Sequence, residues 1–295
     1  MNLFRFIRKC LTDPTAAVES AGLVSRSIRS RLLWAMRPTA VLRHKLPTGG
    51  LLLLDSGHSF THAFYPAVNA YEPDVRAAVK RYLKPGDVFL DCGSNIGYFS
   101  VMANDIVGKL GRVISVEANP TTFKLLRRNL DANGFGTPVH CALTDVPGDV
   151  EIFIPKGGDV YSSLKKGGLV TGEDIISFSV PGRTLDEVAA SLNVTRVSLL
   201  KIDVEGAEMQ VLRSAAQTLK EMRPVVLCEY STHTWGAFGA TSNDLIDLID
   251  ELGYEAGLFD VKTNVVTPLP PDVWSNSYIN LVLTPRQSGT TSRPA

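Results

Sequence analysis

The feature that most constrains the fold is a regular alternation of short apolar runs with longer amphipathic segments, which begins at Gly86. The runs DVFLD, RVISVEA, TPVHCALTD, SLLKIDV and RPVVLCEYS are typical of buried strands. The segments among them, IGYFSVMANDIV, PTTFKLLRRNLDANG and GAEMQVLRSAAQTLK, have helical spacing. Strands that alternate with helices form a mostly parallel sheet with helices on both faces, so we predict an α/β fold.

The two ends of this pattern differ from its middle. No helix separates the last two runs, YEAGLFDV and SYINLVLT, so they are predicted to pair as an antiparallel hairpin at the sheet edge. Upstream, GGLLLLDSG and SFTHAFYP are predicted strands of a small hairpin. Glu72-Pro73-Asp74 predicts the start of a helix that runs to about Leu83, since proline and acids favour the first turn.

The charge is balanced overall but unevenly distributed. Thirty Lys and Arg face thirty Asp and Glu, which gives no bulk positive charge for nucleic acid, and no nucleic-acid partner is predicted. Residues 1–45 carry nine basic and two acidic residues, a net charge of +7, interleaved with apolar residues. This pattern indicates amphipathic helices, which either pack on the main domain as an arm or rest on an anionic membrane or a partner.

Cysteine usage and hydropathy bear on location. The four cysteines show no disulfide framework or zinc-ligand spacing, which favours a reducing compartment. No apolar run reaches the ~18 residues of a membrane span. We therefore predict a cytoplasmic protein, with peripheral contact to the cytoplasmic membrane face through residues 1–45 as an open alternative.

Candidate binding residues follow the first three strands, because ligands of such sheets collect at the carboxyl ends of the strands. Gly93 and Gly97 allow a tight turn after Asp91, whose carboxylate suits an amino-acid ammonium group better than a pyrophosphate. The spacing is not the G-x-G-x-x-G of a dinucleotide site. Glu117 could accept two hydrogen bonds from a ribose diol, and Asp145 is either an adenine contact or a turn residue.

Candidate catalytic residues follow the fourth and fifth strands. Asp203 and Glu205 are predicted to orient an acceptor or to act as the base, and His233 is a rival base. Asp203, Glu205 and Glu229 are also oxygen ligands that would suit magnesium. No metal is predicted, and this alternative stays open.

The segments PGDVFLDCGSNIGYFS, VISVEANPTTFKLLRRNL, LLKIDVEGAEMQVLRSA and RPVVLCEY resemble class I S-adenosylmethionine-dependent methyltransferases, and specifically the FkbM family. The resemblance covers roughly residues 70–285, with KIDVEGAE as its most specific part. Ser94 departs mildly from the small residue, often alanine, that is usual before Asn95. The implied fold is a Rossmann-like, mostly parallel seven-stranded sheet with helices on both faces and an antiparallel edge hairpin.

The resemblance implies S-adenosyl-L-methionine as cofactor and methyl transfer to oxygen, on a hydroxyl of a sugar, glycolipid or natural product. By position in the motifs, Asp91, Gly93, Asn95 and Gly97 would hold the methionine end of the cofactor and Glu117 its ribose. The other candidate cofactor contacts are Glu72, Ser94, Ala118, Asn119 and Asp145.

The predicted domain organisation has three parts. Residues 1–69 form a basic helical arm and hairpin, 70–285 the methyltransferase domain, and 286–295 a disordered tail. The insertion from Lys156 to Thr184 is either part of an acceptor site or lid, or a surface hairpin. Alternative functions are an NAD(P)-dependent oxidoreductase and a methyltransferase-like binding module without turnover; a homodimer is left open.

Overall fold

The computed structural model of the chain describes residues 26–28, 30–37, 40–55, 61, 64–65, 67–155, 163–164, 175–275 and 278–286. The predicted C-terminal tail lies outside these residues apart from Arg286, as does most of the segment between Lys156 and Ile175. Among the helices in the described ranges, none has both the length and the apolar character needed to cross a bilayer.

The centre of the molecule is an eight-stranded sheet with the order β12-β11-β13-β10-β9-β3-β4-β5. Its strands are β3 (Val88–Cys92), β4 (Arg112–Glu117), β5 (Thr137–His140), β9 (Leu199–Ile202), β10 (Val225–Tyr230), β11 (Tyr254–Asp260), β12 (Val265–Pro268) and β13 (Ile279–Pro285). The strands from β5 to β10 are parallel, whereas β13, β11 and β12 pair antiparallel at one edge. The prediction of a mostly parallel α/β sheet with an antiparallel edge is confirmed.

Helices cover both faces of this sheet. The labelled helices are α1 (Pro73–Tyr82), α2 (Tyr98–Val107), α3 (Pro120–Ala132), α4 (Leu185–Ser191), α5 (Glu208–Ser214), α6 (Thr232–Phe238) and α7 (Ser242–Glu251). Apolar side chains of α1, α2 and α3 share one buried cluster with alternate strand residues such as Phe89 and Leu199. Those of α4, α5 and α7 share a second cluster with the intervening residues, such as Leu90 and Leu200. Each face of the sheet therefore has its own core.

The structure differs from the sequence prediction at three strands. The run TPVHCALTD is divided, because after β5 the chain forms β6 (Ala142–Leu143), which joins β7 (Gly148–Pro155) and β8 (Ile175–Arg183) in a second sheet. The short strand β12 adds an eighth strand to the predicted seven. Because β12 lies between them in sequence, β11 and β13 pair antiparallel without forming a simple hairpin.

The N-terminal hairpin is real but is formed by different residues. It consists of β1 (Val41–Lys45) and β2 (Leu51–Asp55), whereas the described residues of the second predicted strand, Thr61, Phe64 and Tyr65, are helical. The strand prediction for SFTHAFYP is therefore wrong. Its neighbours Phe64 and Tyr65 are both buried, which a strand with one buried face does not allow.

Two asparagines at the C-terminal end of α3 form hydrogen bonds with the hairpin. Leu53 N donates to Asn129 Oδ1 at 2.7 Å, and Leu51 N donates to Asn133 Oδ1 at 2.8 Å. The side chains of Leu52 and Leu54 alternate with those of Leu51 and Leu53 along β2. Both are fully buried in the apolar cluster that includes residues of α1, α2 and α3. Structurally, β1 and β2 thus form part of the same core as the sheet.

Candidate functional site

The turn between β3 and α2 places two glycines where protein atoms leave no room for a side chain. Gly93 has φ +77°, and a Cβ there would lie 1.7 Å from the carbonyl oxygen of Asp203. Gly97 has φ +89° and begins α2, and its Cβ would lie 2.8 Å from Leu126. Gly93 therefore lets this turn pack directly on the segment after β9, and the two loops form one structure.

Asp91 begins this turn and is almost fully buried. Its Oδ2 accepts a hydrogen bond from Ser100 Oγ at 2.5 Å, and Ser115 Oγ lies 2.7 Å behind Ser100 Oγ. Its Oδ1 has no hydrogen-bond partner among the described residues. Burial raises the pKa of Asp91, while the charge of Lys201 and the Ser100 bond oppose the rise. The free oxygen is suited to a cationic donor.

Glu117 ends β4 and ties two loops together. Its Oε2 accepts from Asn95 N at 2.9 Å and its Oε1 from Asn119 N at 2.8 Å. Burial raises its pKa to about 7 although both bonds favour the ionised form. Each carboxylate oxygen has two lone pairs, so Glu117 retains acceptor capacity for a diol.

The other predicted cofactor contacts in the first two turns contribute to the structure of those turns. Ser94 Oγ donates to Asp91 O at 2.7 Å, and Asn95 adopts a left-handed conformation with φ +49°. Ala118 O is bonded to His140 Nε2 at 3.0 Å. Asn119 Oδ1 caps α3, while its buried Nδ2 has no partner among the described residues.

The sheet register assembles a polar row from four strands. Asp91 pairs with Lys201 between β3 and β9, and Glu229 pairs with Asn280 between β10 and β13. Ile202 pairs with Cys228, so Asp203 and Glu229 come next to each other. Paired and alternate residues share a face, so all five side chains lie on the face covered by α1 and α2. We name Asp91, Lys201, Asp203, Glu229 and Asn280 the polar row.

Lys201 is the cation of this row. Its Nζ lies 2.8 Å from Asp203 Oδ2 and 5.1 Å from the ring centre of Phe99, and the residue is 4% exposed. Burial by itself would lower the pKa of Lys201, but the charges of Asp203, Asp91 and Glu72 outweigh burial and raise it. Lys201 is therefore a permanent positive charge.

Glu72 reaches the row from the N-terminus of α1. Tyr278 Oη donates to its Oε1 at 3.4 Å, and its Oε2 has no hydrogen-bond partner among the described residues. On the same helix, Asp74 accepts from Asn280 Nδ2 at 3.1 Å, which links α1 to the row. Glu72 therefore lies beside the polar row, and its contact with the cofactor stays a prediction.

The segment after β9 adds two more carboxyls. Glu208 Oε1 accepts from Val204 N at 2.9 Å and Gly206 N at 3.1 Å, so Glu208 stabilises the turn that carries Glu205. Glu205 itself has φ +57°. Burial, then the charges of Asp203 and Glu208, raise the pKa of Glu205 well above its usual range. The same causes, with Asp203 as the largest charge, raise the pKa of Glu229.

Two other predicted site residues lie at different distances from these carboxyls. His233 is exposed on α6, whose Thr234 and Phe238 lie against Gly206, so this helix borders the turn that carries Glu205 and the role of His233 as a base stays a prediction. Asp145 follows β6 of the second sheet, because β5 ends at His140, and it therefore does not end the third parallel strand. Trp235 of α6 is buried against Tyr230, with ring centres 4.9 Å apart.

Strand alternation in the sequence places Lys201 on the same face as Asp203 but assigns it no role, and sequence reasoning missed Tyr278. Tyr278 gives no such signal, since it is far from Glu72 in the chain. Among the residues that the structure describes, no group of three or more His, Cys, Asp or Glu could hold a metal ion.

The unpartnered polar atoms fit S-adenosylmethionine. Asp91 Oδ1 and Glu72 Oε2 are acceptors for positive charge, and Asn119 Nδ2 is a buried donor beside Glu117. A ligand with an ammonium, a sulfonium and a ribose diol presents complementary groups. The chemistry of the donor set therefore agrees with this cofactor.

Comparison with known proteins identifies relatives that are described as methyltransferases. A hexuronic acid methyltransferase, AglP of Haloferax volcanii, is 29% identical over 157 residues, which are 53% of this chain and 61% of AglP. Methyltransferase 1 of Beauveria bassiana is 29% identical over 147 residues, 44% of this chain and 59% of that protein. The matches thus span about three-fifths of the length of these relatives.

Solved structures give weaker likenesses. An FkbM methyltransferase from Methylobacillus flagellatus has 16% identity and a TM-score of 0.43, over 76% of this chain and 54% of that chain. Fibrillarin from Aeropyrum pernix, crystallised with natively bound S-adenosyl-L-methionine, has 16% identity and a TM-score of 0.42, over 83% of this chain and 98% of that chain.

The family model described as the methyltransferase FkbM domain matches residues 91–256, more than half of the chain. The matched span runs from Asp91 to the middle of β11 and contains Glu117, Lys201, Asp203 and Glu229. The chain therefore belongs to the FkbM methyltransferase family, which its sequence motifs resemble.

Proposed function

We propose that the chain transfers a methyl group to a hydroxyl of a sugar, glycolipid or natural product. The observation that carries this proposal is the set of buried carboxyls around Lys201, directly beside the open oxygen of Asp91. Methylation of a neutral hydroxyl requires that its proton be taken up, and carboxylates can do this. The similarity to a protein described as a hexuronic acid methyltransferase supports a sugar as acceptor.

The chain's residues have separate tasks in this proposal. The cofactor supplies a methyl group that its sulfonium already activates. Asp91 would hold the ammonium group, and Glu117 would hold the ribose. Asp203, kept in place by Lys201, would orient the acceptor hydroxyl and take its proton, with Glu205 as the alternative base. Asp203 is the better candidate because its carboxylate has a fixed position.

The test is methyl transfer from radiolabelled S-adenosylmethionine into separated saccharide, lipid-linked, protein and nucleic-acid fractions. We expect label in the saccharide or lipid-linked fraction, and nucleic acid is not a proposed acceptor. Asp203→Asn should reduce the rate ~10²-fold or more, the usual range for a general base, with little change in the cofactor's dissociation constant. Label confined to protein or nucleic acid would overturn the proposal, and its absence from every fraction would favour a binding module.

We also propose that the N-terminal helix rests on an anionic membrane surface. Residues 26–28 and 30–36 are helical, and Trp34 anchors one side of this helix in the core, 5% exposed, with its Nε1 bonded to Ala40 O at 3.0 Å. On the other side Ile28, Leu32 and Met36 are 55%, 57% and 74% exposed. Spaced four residues apart, these three form one apolar stripe.

The charge around this stripe identifies the surface it fits. No Asp or Glu lies between residues 19 and 55, whereas six Lys or Arg do, and Arg31 and Arg37 are exposed on or beside the helix. Basic residues near an anionic membrane contribute about 1 kcal/mol each. A bilayer with acidic headgroups complements both the stripe and the charge, and a cytoplasmic membrane face would offer it.

Substitution tests this contact better than deletion, because removing residues 1–45 would also remove Trp34 from the core. We expect the full chain to co-sediment with phosphatidylglycerol vesicles, and the double variant Leu32→Ser, Met36→Ser to lose most of that binding. Leu110→Ser is the matched control, because Leu110 is 90% exposed in a turn away from the stripe. Equal binding to neutral phosphatidylcholine vesicles, or an unaffected double variant, would refute the contact.

A further inference from the structure

Glu72 has an unusual backbone that turns its side chain away from its own helix. It is the residue before α1, with φ +41°, and its carboxylate makes no capping bond to the helix. The side chain instead accepts from Tyr278 and is also hydrogen-bonded to Tyr71. Its Oε2 is buried without a partner among the described residues, in a residue that is 8% exposed. A left-handed conformation at a non-glycine residue is strained, so this orientation is imposed by its surroundings.

The surroundings carry far more acid than base. The carboxyls that interact with the ammonium group of Lys201 are Asp203, Asp91 and Glu72. Asp203 in turn interacts with the buried or half-buried carboxyls of Glu205, Glu208 and Glu229. The groups that interact electrostatically with Glu72 from the elements packed around it are Asp203, Lys201, Asp74, Tyr71, Tyr98, Glu205, Glu229 and Tyr278. One ammonium cannot balance this set, so protons must supply the missing positive charge.

Glu72 holds such a proton near neutral pH. Burial raises its pKa to about 7, Asp203 raises it further, and Lys201 opposes the rise. A permanently cationic ligand that enters the row would favour the ionised carboxylate and so displace this proton. A ligand without that charge would leave the proton in place.

We propose that Glu72 releases its proton when the cationic methyl donor binds and regains a proton when the neutral product forms. This inference rests on the proposed methyl transfer. In that reaction the carbon–sulfur bond breaks, its electron pair stays on sulfur, and a bond forms between the methyl carbon and the acceptor oxygen. The acceptor's proton passes to Asp203 and from there to Glu72 as the sulfonium charge disappears. Asp203 is then ionised again, and the total charge of the site stays constant. Glu72 is a positioning residue for charge, and Asp203 remains the proposed base.

The experiment measures the dissociation constants of S-adenosylmethionine and S-adenosylhomocysteine between about pH 6 and 8.5. The two ligands share their ammonium, carboxylate and ribose groups, so the ratio of their dissociation constants isolates the effect of the sulfonium. For the native chain we expect discrimination in favour of the cation to increase with pH by up to tenfold per unit, and to level off once Glu72 is ionised.

Two variants test whether Glu72 causes the pH dependence of this ratio. In Glu72→Gln we expect the ratio to become nearly independent of pH. Glu117→Gln is the matched control: its carboxyl also has a pKa of about 7, yet it faces groups common to both ligands, so both affinities should fall while the pH slope of the ratio persists. A slope that survives in Glu72→Gln overturns the assignment, and so does one that vanishes in Glu117→Gln.

Calorimetry on the unmodified chain keeps the inference testable if a variant fails to fold. Titrations at pH 7 in buffers of different ionisation enthalpy should show proton release with S-adenosylmethionine that exceeds release with S-adenosylhomocysteine by up to about half a proton, because Glu72 is then about half protonated. Equal proton release overturns the inference while leaving the proposed function intact. If neither ligand binds, both fail.

Discussion

Single residues at the carboxyl edge of the sheet bring distant segments into one site. Asp203 illustrates this: its side chain accepts from Lys201, its backbone carbonyl lies against Gly93, and its charge acts on Glu72. Because each contact joins a different segment, the geometry of the first turn and the ionisation of the carboxyls depend on the same residue. Because the contact with Gly93 uses the backbone of Asp203, a side chain added at position 93 should displace the turn and weaken binding.

Gly93→Ala should abolish cofactor binding. A Cβ 1.7 Å from a carbonyl oxygen cannot be accommodated, so the turn after β3 must move away from the segment after β9. Gly86→Ala is the matched control, with a similar φ of +89° and nothing within 4 Å of its Cβ, so it should cost only ~1 kcal/mol of backbone strain. Isothermal titration with S-adenosylmethionine and thermal unfolding measure both; comparable affinities would contradict the steric argument.

At the level of elements, the N-terminal hairpin supports the cofactor turn through α3. Asn129 accepts from Leu53 N of β2 with its Oδ1 and donates to Ile96 O in the turn with its Nδ2, at 2.7 Å each. Among the described residues, the side chain of Asn133 bonds Leu51 and the backbone of Asn129. The hairpin and the turn are therefore connected through one side chain.

This connection predicts different results for two similar substitutions. Asn129→Ala and Asn133→Ala each leave hairpin groups unpaired and should lower the free energy of unfolding by ~1–3 kcal/mol. Only Asn129→Ala also frees the carbonyl of Ile96, so only it should raise the dissociation constant for S-adenosylmethionine several-fold. Denaturant unfolding and titration of both variants decide the matter, and a matching loss of affinity in Asn133→Ala would rule out the specific role of Asn129.

The elements also show how far the sequence could be interpreted. The parallel strands and the turn after β3 were predictable, since apolar runs mark strands and parallel strand ends must meet. The short helical segment at Phe64 was not predictable, because alternating aromatic and polar residues resemble a strand. Only the structure shows that the adjacent Phe64 and Tyr65 are both buried. The contact of Glu72 with Tyr278 depends on where β13 lies in the sheet, which no local pattern specifies.

For the whole molecule, buried acids dominate the response to pH. Burial raises the pKa values of Glu72, Glu117 and Glu208 to about 7, from an ordinary value near 4.5. Hydrogen bonds within their own turns lower the pKa values of Asp244 and Asp260, so these two groups change the free energy of unfolding only below about pH 4. The pKa of His44 is lowered by burial, so this group makes the free energy of unfolding rise as pH rises toward 6.5, opposite to the effect of the glutamates.

The sign of the pH dependence follows from proton counts. Between about pH 4.5 and 7 the folded chain holds protons on these glutamates that the unfolded chain has lost, so the free energy of unfolding falls as pH rises through that window. One such group contributes up to ~1.4 kcal/mol per pH unit, and ~1 kcal/mol shifts the midpoint of a chain this size by ~2–4 °C. Without cofactor, the melting temperature should therefore fall between pH 5.5 and 7.5, and Glu117→Gln should make the fall shallower. A melting temperature that rises across this interval would mean that the buried carboxyls are ionised in the folded chain, in which case they could not supply the proton exchange proposed for Glu72.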